Sequence, residues 1–112
     1  MSWFIILKRE LKVGLISGRH EIPVEEYVFE GPIEGEFSER PEYLYGKAWE
    51  WLNDNKDRFN TLHLYLTGLT MANNAFINAF RKFDNGKLVQ TKKLILYYHD
   101  SQTNDYITDR WN

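Results

Sequence analysis

The sequence contains no cysteine, and this absence removes several kinds of chemistry at once. Disulfide bridges, thiol catalysis and cysteine-ligated zinc or iron–sulfur centres are all excluded. The three histidines, His20, His63 and His99, are scattered along the chain without a metal-ligand spacing. We therefore expect no metal site and no cofactor.

Long hydrophobic runs are also missing. The longest apolar segments, residues 3–7 and 94–98, are far shorter than the roughly 20 residues that a membrane-spanning helix needs. The first run has neither the basic leader nor the small-residue cleavage site of a secretory signal. We therefore expect a cytoplasmic protein with no membrane partner.

The chain has no excess of positive charge. The formal net charge is −2 and the pI is about 5.9, so we expect no general DNA or RNA binding, which needs a basic surface. Eight Glu and one basic residue, Arg40, lie between Glu21 and Glu42; we interpret this acidic stretch as a solvated surface. Five basic residues lie between Arg81 and Lys93, and we interpret them as a solvated patch at a helix C-terminus, where cations are stabilised without a ligand.

Aromatic residues, by contrast, are abundant. They make up 16% of the chain, with four Trp, seven Tyr and seven Phe, which is incompatible with a disordered chain. The rings fill an aromatic-rich core, or some of them lie in a subunit interface or a ligand pocket. The excess leads us to expect a homodimer or higher oligomer.

The length of 112 residues fits a single domain spanning 1–112. Strand-like patterns cover residues 3–7, 11–16, 26–29, 62–66, 94–98 and 106–111, and helical patterns begin at Pro41 and near Thr70. These segments predict a single α+β domain with a mixed sheet of five or six strands and two helices.

The second helix carries the strongest periodic signal in the chain. Apolar residues recur at i, i+3, i+4, i+7, i+8 and i+11, at Ala72, Ala75, Phe76, Ala79, Phe80 and Phe83. Residues 62–98 therefore read strand–loop–helix–strand, a unit that makes two parallel strands with a right-handed crossover.

The loop that enters this helix is the best candidate for a binding site. Free N–H groups of the first helical turn and the helix dipole favour an anion there, and the carboxyl edge of a parallel sheet is where ligands bind. The predicted ligand-binding residues are Thr67, Gly68, Leu69, Thr70, Asn73 and Asn74. The alternative is purely structural, with Thr70 as a helix cap and Gly68 as a turn residue. The loop matches neither the phosphate-loop motif nor the dinucleotide glycine fingerprint.

Three further residues could contribute chemistry. His99 could act as an acid or base at the same edge, with Asp100 orienting it, unless the pair simply ends a strand and leads a turn. Arg19 lies in a small basic turn that could clamp a phosphate or be merely exposed. We place His63 and Tyr65 on the strand face opposite the leucines, as packed or surface side chains rather than catalytic ones.

The segment Leu62-His63-Leu64-Tyr65-Leu66-Thr67-Gly68-Leu69-Thr70, followed by a small-residue helix, a strand ending in His99-Asp100 and a hairpin, resembles a known family. It is similar to small CRISPR-ancillary proteins related to the CARF fold, including ring nucleases that bind or cut cyclic oligonucleotides. The resemblance covers roughly residues 60–111. It implies that residues 67–70 touch ligand phosphates and that the protein works as a dimer.

These observations support functions of different classes. The first is binding of a cyclic nucleotide as a sensor, a sponge or a ring nuclease, with a non-catalytic role at least as consistent as catalysis. The second is a protein–protein inhibitor or adaptor, such as a viral anti-defence protein, that uses the acidic stretch or an aromatic surface. A metal-dependent hydrolase built on His99, Asp100 and His20 is the weakest of the three.

Overall fold

The computed structural model describes residues 9–16, 23–24, 26–29, 40–66, 70–85, 92–100, 102–103 and 105–111. Within these ranges the strands are β1 (Glu10–Ile16), β2 (Tyr27–Phe29), β3 (Thr61–Tyr65), β4 (Lys93–Asp100) and β5 (Asp105–Arg110). The helices are α1 (Pro41–Asn55), which runs on into a short 3-10 helix (Lys56–Arg58), and α2 (Thr70–Asn85). The strand predicted at residues 3–7 lies outside the described ranges.

The five described strands form one mixed sheet in the order β2-β1-β3-β4-β5. The first four strands are parallel, and β5 returns as an antiparallel hairpin on β4. Helix α2 connects the parallel neighbours β3 and β4, as the strand–loop–helix–strand pattern predicted. The prediction of an α+β domain with two helices and a mixed sheet is confirmed.

The core lies between one face of the sheet and the two helices. Cross-strand register aligns Leu62 of β3 with Leu11 and Leu94. The next row on the same side of the sheet aligns Leu64 with Val13 and Leu96. We call this side the leucine face. All six positions of the apolar stripe predicted for α2 are buried. The Phe80 ring contacts Trp111 at 5.8 Å, and the Trp111 N–H donates to the Leu94 carbonyl, so α2 covers the leucine face.

Helix α1 packs beside α2 on the same face. Its first residue is Pro41, whose missing N–H costs nothing in the first turn, and its buried stripe is Leu44, Ala48 and Leu52. The Trp51 ring lies 6.2 Å from that of Phe76, which joins the two helices. Since each helix returns the chain between parallel strands, both N-termini lie at the carboxyl edge of the sheet.

Lys92 corrects the prediction of a solvated basic patch. It is only 8% exposed, and its Nζ donates to the carbonyls of Lys56 and Phe59 and lies 4.6 Å from the centre of the Phe59 ring. The physical reason is that these carbonyls follow the end of α1, where backbone acceptors lack helical partners. Lys92 is therefore a buried cap, whereas Arg81 remains exposed, with its guanidinium over the Trp111 ring.

Neither described helix combines the length and the apolar character needed to cross a bilayer.

Candidate functional site

A cleft of about 410 Å³ opens between the N-terminal halves of α1 and α2. Small-molecule sites commonly have volumes of roughly 300–1,000 Å³, and in parallel sheets they lie at the carboxyl edge, as this cleft does. Its described lining comes from both helices and consists of Pro41, Tyr45, Thr70, Met71, Asn74, Ala75 and Asn78.

The cleft combines features that suit an anionic ligand with a flat ring. The first turns of two neighbouring helices point N–H groups and positive dipole ends toward the same end of the cleft. Tyr45 and Met71 supply apolar contact area, while Asn74 and Asn78 supply amide donors and acceptors one turn apart. Glu42 is an exposed acidic residue in the first turn of α1, where its carboxylate interacts favourably with the helix dipole.

Two of the predicted ligand-binding residues line this cleft. Thr70 is the first residue of α2, and Asn74 lies one turn later with an exposed side chain. Asn73 is partly buried in the same turn and is not part of the described lining. Thr67, Gly68, Leu69 and Arg19 lie outside the described residues.

Five lining residues were not among the predicted site residues: Pro41, Tyr45, Met71, Ala75 and Asn78. Asn78 follows Asn74 by four positions, so it lies on the same helix face and could have been included on that ground. Pro41 and Tyr45 belong to α1, and nothing in the local pattern shows that α1 packs beside the start of α2. That neighbour relation comes from the tertiary fold.

His99 lies on the opposite side of the sheet from the cleft. Its ring contacts Tyr106 at 5.5 Å, and Tyr106 contacts Tyr65 at 5.0 Å, on the face away from the leucines. Asp100 is occupied in the hairpin turn, where its carboxylate accepts from the Gln102 N–H and the Thr103 hydroxyl. The structure therefore brings neither residue to the cleft, and their catalytic roles stay predictions.

A second polar cluster lies on the sheet face opposite the helices. The Tyr97 hydroxyl is 2.8 Å from His63 Nδ1, and His63 Nε2 is 3.0 Å from the Glu10 carboxylate. A carboxylate only accepts, so the neutral form of His63 that fits this geometry has its proton on Nε2 and accepts from the Tyr97 hydroxyl at Nδ1. The chain Glu10–His63–Tyr97 crosses β1, β3 and β4, and it fixes the orientation of all three side chains.

Aromatic rings surround this hydrogen-bonded series of side chains. Tyr65 stacks on Tyr97 with ring centres 4.3 Å apart, and the Tyr106 ring meets Tyr65 edge-on. Burial raises the pKa of Tyr65, and the neighbouring phenols Tyr97 and Tyr106 raise it further. His63 and Tyr65 thus lie on the face where the alternation of β3 placed them, as packed residues.

Among the residues that the structure describes, no three His, Asp or Glu side chains are grouped closely enough to hold a metal ion. Comparison with models of protein families, with curated proteins and with solved structures finds no match to this chain.

Proposed function

We propose that the cleft between α1 and α2 binds a small phosphorylated ligand, a cyclic oligonucleotide, and that the protein acts as a sensor or sponge for it. The observation that carries this proposal is the convergence of two helix N-termini on a cleft of ligand size, about 410 Å³. The choice of a cyclic oligonucleotide follows from the sequence resemblance of residues 60–111 to proteins that handle such ligands.

The lining suggests which residues would contact the phosphate and which would contact the base of such a ligand. A phosphate fits the first turn of α2, where the Thr70 hydroxyl and free N–H groups can donate. A base fits against Tyr45, within reach of the Asn74 and Asn78 amides, because an amide presents a donor and an acceptor to a base edge. Backbone N–H groups bind phosphate without a basic surface, in keeping with the net charge of −2.

Binding is favoured over cleavage by the position of His99. A ring nuclease that used His99 would need this side chain beside the scissile phosphate, whereas the sheet separates it from the cleft. Asp100 is engaged in its own turn. A sensor or sponge needs neither residue.

The test begins with a thermal-shift screen against cyclic di-, tri- and tetranucleotides, since a ligand that binds the folded state raises the melting temperature. Titration calorimetry of the best ligand then compares Asn74→Ala with Lys82→Ala, an exposed change near the other end of α2. Losing a hydrogen bond to a ligand costs about 1 kcal/mol or more, so Asn74→Ala should weaken binding by about fivefold or more. Equal affinities for the two variants would remove the cleft from the site.

Product analysis distinguishes a sponge from a nuclease. The ligand should be recovered intact after prolonged incubation with the protein. Linear products that disappear in His99→Ala would show instead that His99 cleaves, and a second ligand position on the other sheet face would then be required.

An inhibitor or adaptor that binds a protein is the second candidate. One observation favours it: Tyr98 and Ile107 oppose each other on the β4–β5 hairpin and are 41% and 57% exposed. Large apolar side chains that face solvent together mark interaction sites. A screen in which no nucleotide raises the melting temperature would place this candidate first.

A further inference from the structure

The leucine face of the sheet extends beyond the part that the helices cover. Leu94, Leu96 and Tyr98 follow one another at two-residue spacing along β4, so all three side chains point to this face. The two leucines are buried, whereas Tyr98 is 41% exposed. Ile107 of β5 lies directly opposite Tyr98 and is 57% exposed. These are the two most exposed large apolar side chains in the described part of the chain.

Acidic side chains flank this apolar pair at both ends. Asp105 and Asp109 lie two residues before and after Ile107 on β5, so they point to the same face, and both are exposed. Asp100, at the end of β4, lies directly opposite Asp105. Like charges directly opposite each other destabilise a sheet, so a bound cation would reduce the cost of the Asp100–Asp105 pair.

The carboxylates at the hairpin end are held in place by local hydrogen bonds. Asp100 accepts from the Gln102 N–H and the Thr103 hydroxyl. One oxygen of Asp105 accepts from the Tyr106 N–H. Because an ionised carboxylate has about four lone-pair sites, these bonds leave room for a guanidinium or ammonium group to donate as well.

We propose that the surface formed by Tyr98, Asp105, Ile107 and Asp109 binds a short basic segment of a partner protein. An apolar side chain of the segment packs against Tyr98 and Ile107, and a Lys or Arg side chain on either side of it pairs with one of the two aspartates. Residues two apart on a strand are separated by roughly 6–7 Å. The segment therefore presents a basic, an apolar and a basic side chain at about this spacing.

The size and the charge of the surface select this partner over a second copy of the chain. A large side chain has about 150–250 Å² of surface, so the exposed parts of Tyr98 and Ile107 amount to on the order of 200 Å². A standard protein–protein interface buries about 800 Å² on each partner. Two copies of the surface would also oppose aspartates to aspartates. The Arg81 guanidinium is on the same side of the sheet but lies over Trp111, two residues beyond Asp109.

Selection from a random library of twelve-residue peptides displayed on phage tests the class of partner. The enriched peptides should carry an apolar residue with Lys or Arg on both sides of it. Their binding should weaken as the salt concentration rises, because salt screens pairs with exposed aspartates. Failure to enrich any peptide, or enriched peptides with no excess of basic residues over the starting library, overturns the proposal.

Fluorescence anisotropy with the most enriched peptide then tests the apolar contact. Ile107→Thr keeps the β-branched shape that suits a strand but loses apolar area, and should weaken binding by about fivefold or more. Thr108→Ala is the matched control, since Thr108 is the exposed neighbour that points to the other face of the sheet. Equal affinities for the two variants overturn the proposal.

A charge exchange tests the contact with Asp109. Asp109→Lys should weaken binding of the enriched peptide at least tenfold, and a peptide with Glu in place of its basic residues should bind this variant but not the parent protein. Glu50→Lys, which changes an exposed carboxylate on α1, is the control for total charge. An equal loss in Glu50→Lys assigns the attraction to the net charge of the protein and overturns the proposal.

This inference develops the second candidate function, the protein-binding one, and is independent of the cleft ligand, because the surface lies on β4 and β5 and the cleft between α1 and α2. Asn74→Ala should therefore leave peptide binding unchanged. Light scattering checks for a second copy of the chain on the surface. A dimer with twice the chain mass of 13.4 kDa that dissociates in Ile107→Thr would show that a second copy occupies it, and would overturn the proposal.

Discussion

At the scale of single residues, Lys92 shows how local context can mislead. Its sequence neighbours are polar and basic, and a lysine is seldom buried, so a solvated position is the natural expectation. Burial is tolerated here because the ammonium group meets two backbone carbonyls and an aromatic face. Only the fold brings those carbonyls to it.

Lys92→Met should therefore destabilise the protein by about 2 kcal/mol or more, because it leaves buried carbonyls without their donor. Lys93→Met is the matched control, since the adjacent side chain is exposed and such changes stay within about 0.5 kcal/mol. Urea denaturation of both variants measures the difference. Equal losses for the two variants would mean that the Lys92 ammonium contributes nothing.

The cluster Glu10–His63–Tyr97 was also beyond sequence reasoning. The alternation of β3 places His63 on the face away from the leucines, which the structure confirms. Its two partners come from β1 and β4, 53 and 34 residues away in the chain. Register between strands distant in sequence is needed to bring them together, and no local pattern contains it.

At the scale of secondary-structure elements, periodicity predicted the helices and strands well. The stripe of α2 is buried at every predicted position because a helix against a sheet must bury one face. The apolar run of β4 stops at Tyr98, but the strand continues to Asp100 because β5 pairs with His99 and Asp100, so this pair ends the strand as predicted. The length of a hairpin depends on its partner strand.

Phe76 anchors α2 in the core. It is fully buried and its ring contacts Trp51 of α1, so Phe76→Ala should cost roughly 3–5 kcal/mol through lost burial and a cavity. Asn78→Ala, two residues along the helix and exposed, should change the free energy of unfolding little. Chemical denaturation of both variants is the measurement, and a loss below about 1 kcal/mol for Phe76→Ala would contradict this packing.

Gly46 offers a change in the opposite direction. It lies within α1, is exposed, and a Cβ built there meets nothing within 4 Å. Glycine inside a helix costs about 0.5–1 kcal/mol relative to alanine, so Gly46→Ala should raise stability by this amount. Gly46→Ser should give a smaller gain, in line with its lower helix propensity. Thermal unfolding that ranks glycine above alanine would refute the expectation.

At the scale of the whole molecule, the two faces of the sheet differ in what packs on them. The leucine face supports both helices and thereby positions the cleft at the carboxyl edge of the parallel strands. The opposite face carries the Glu10–His63–Tyr97 chain and the stacked tyrosines.

The acidic limit of stability involves the Arg58–Glu26 pair. The Arg58 guanidinium bonds both Glu26 oxygens and lowers the pKa of that carboxyl. Because the pKa of Glu26 is lower in the folded than in the unfolded protein, this carboxylate adds to the free energy of unfolding. The contribution is present above the unfolded pKa, near 4.5, and is lost as the pH falls through the folded pKa. Both side chains are 40% exposed or more, so solvent screening limits the contribution to about 0–1 kcal/mol.

Glu26→Gln should accordingly flatten the fall in stability between neutral and acidic pH by no more than about 1 kcal/mol. Glu50→Gln is the comparison, because its carboxylate is 3.6 Å from Lys47 and more exposed. Urea midpoints across this pH range measure both. A larger change in Glu50→Gln than in Glu26→Gln would show that the Arg58 pair does not set the acid response.

The loss of stability at alkaline pH involves the tyrosines on the sheet face opposite the helices. Burial raises the pKa of Tyr65 and of Tyr106, so the folded protein holds these phenol protons after the unfolded chain, with values near 10, has lost them. Their contribution to stability is thus complete below about pH 10 and is lost as the pH rises through the folded values. Tyr65→Phe removes one of these protons and should make the fall in stability at alkaline pH shallower. Tyr98→Phe, at an exposed position, is the matched control.

Urea midpoints measured from neutral pH upward test this, together with phenolate absorbance, which should increase as the chain unfolds. An equally steep decline in Tyr65→Phe and the parent protein would show that the stacked tyrosines do not control alkaline unfolding.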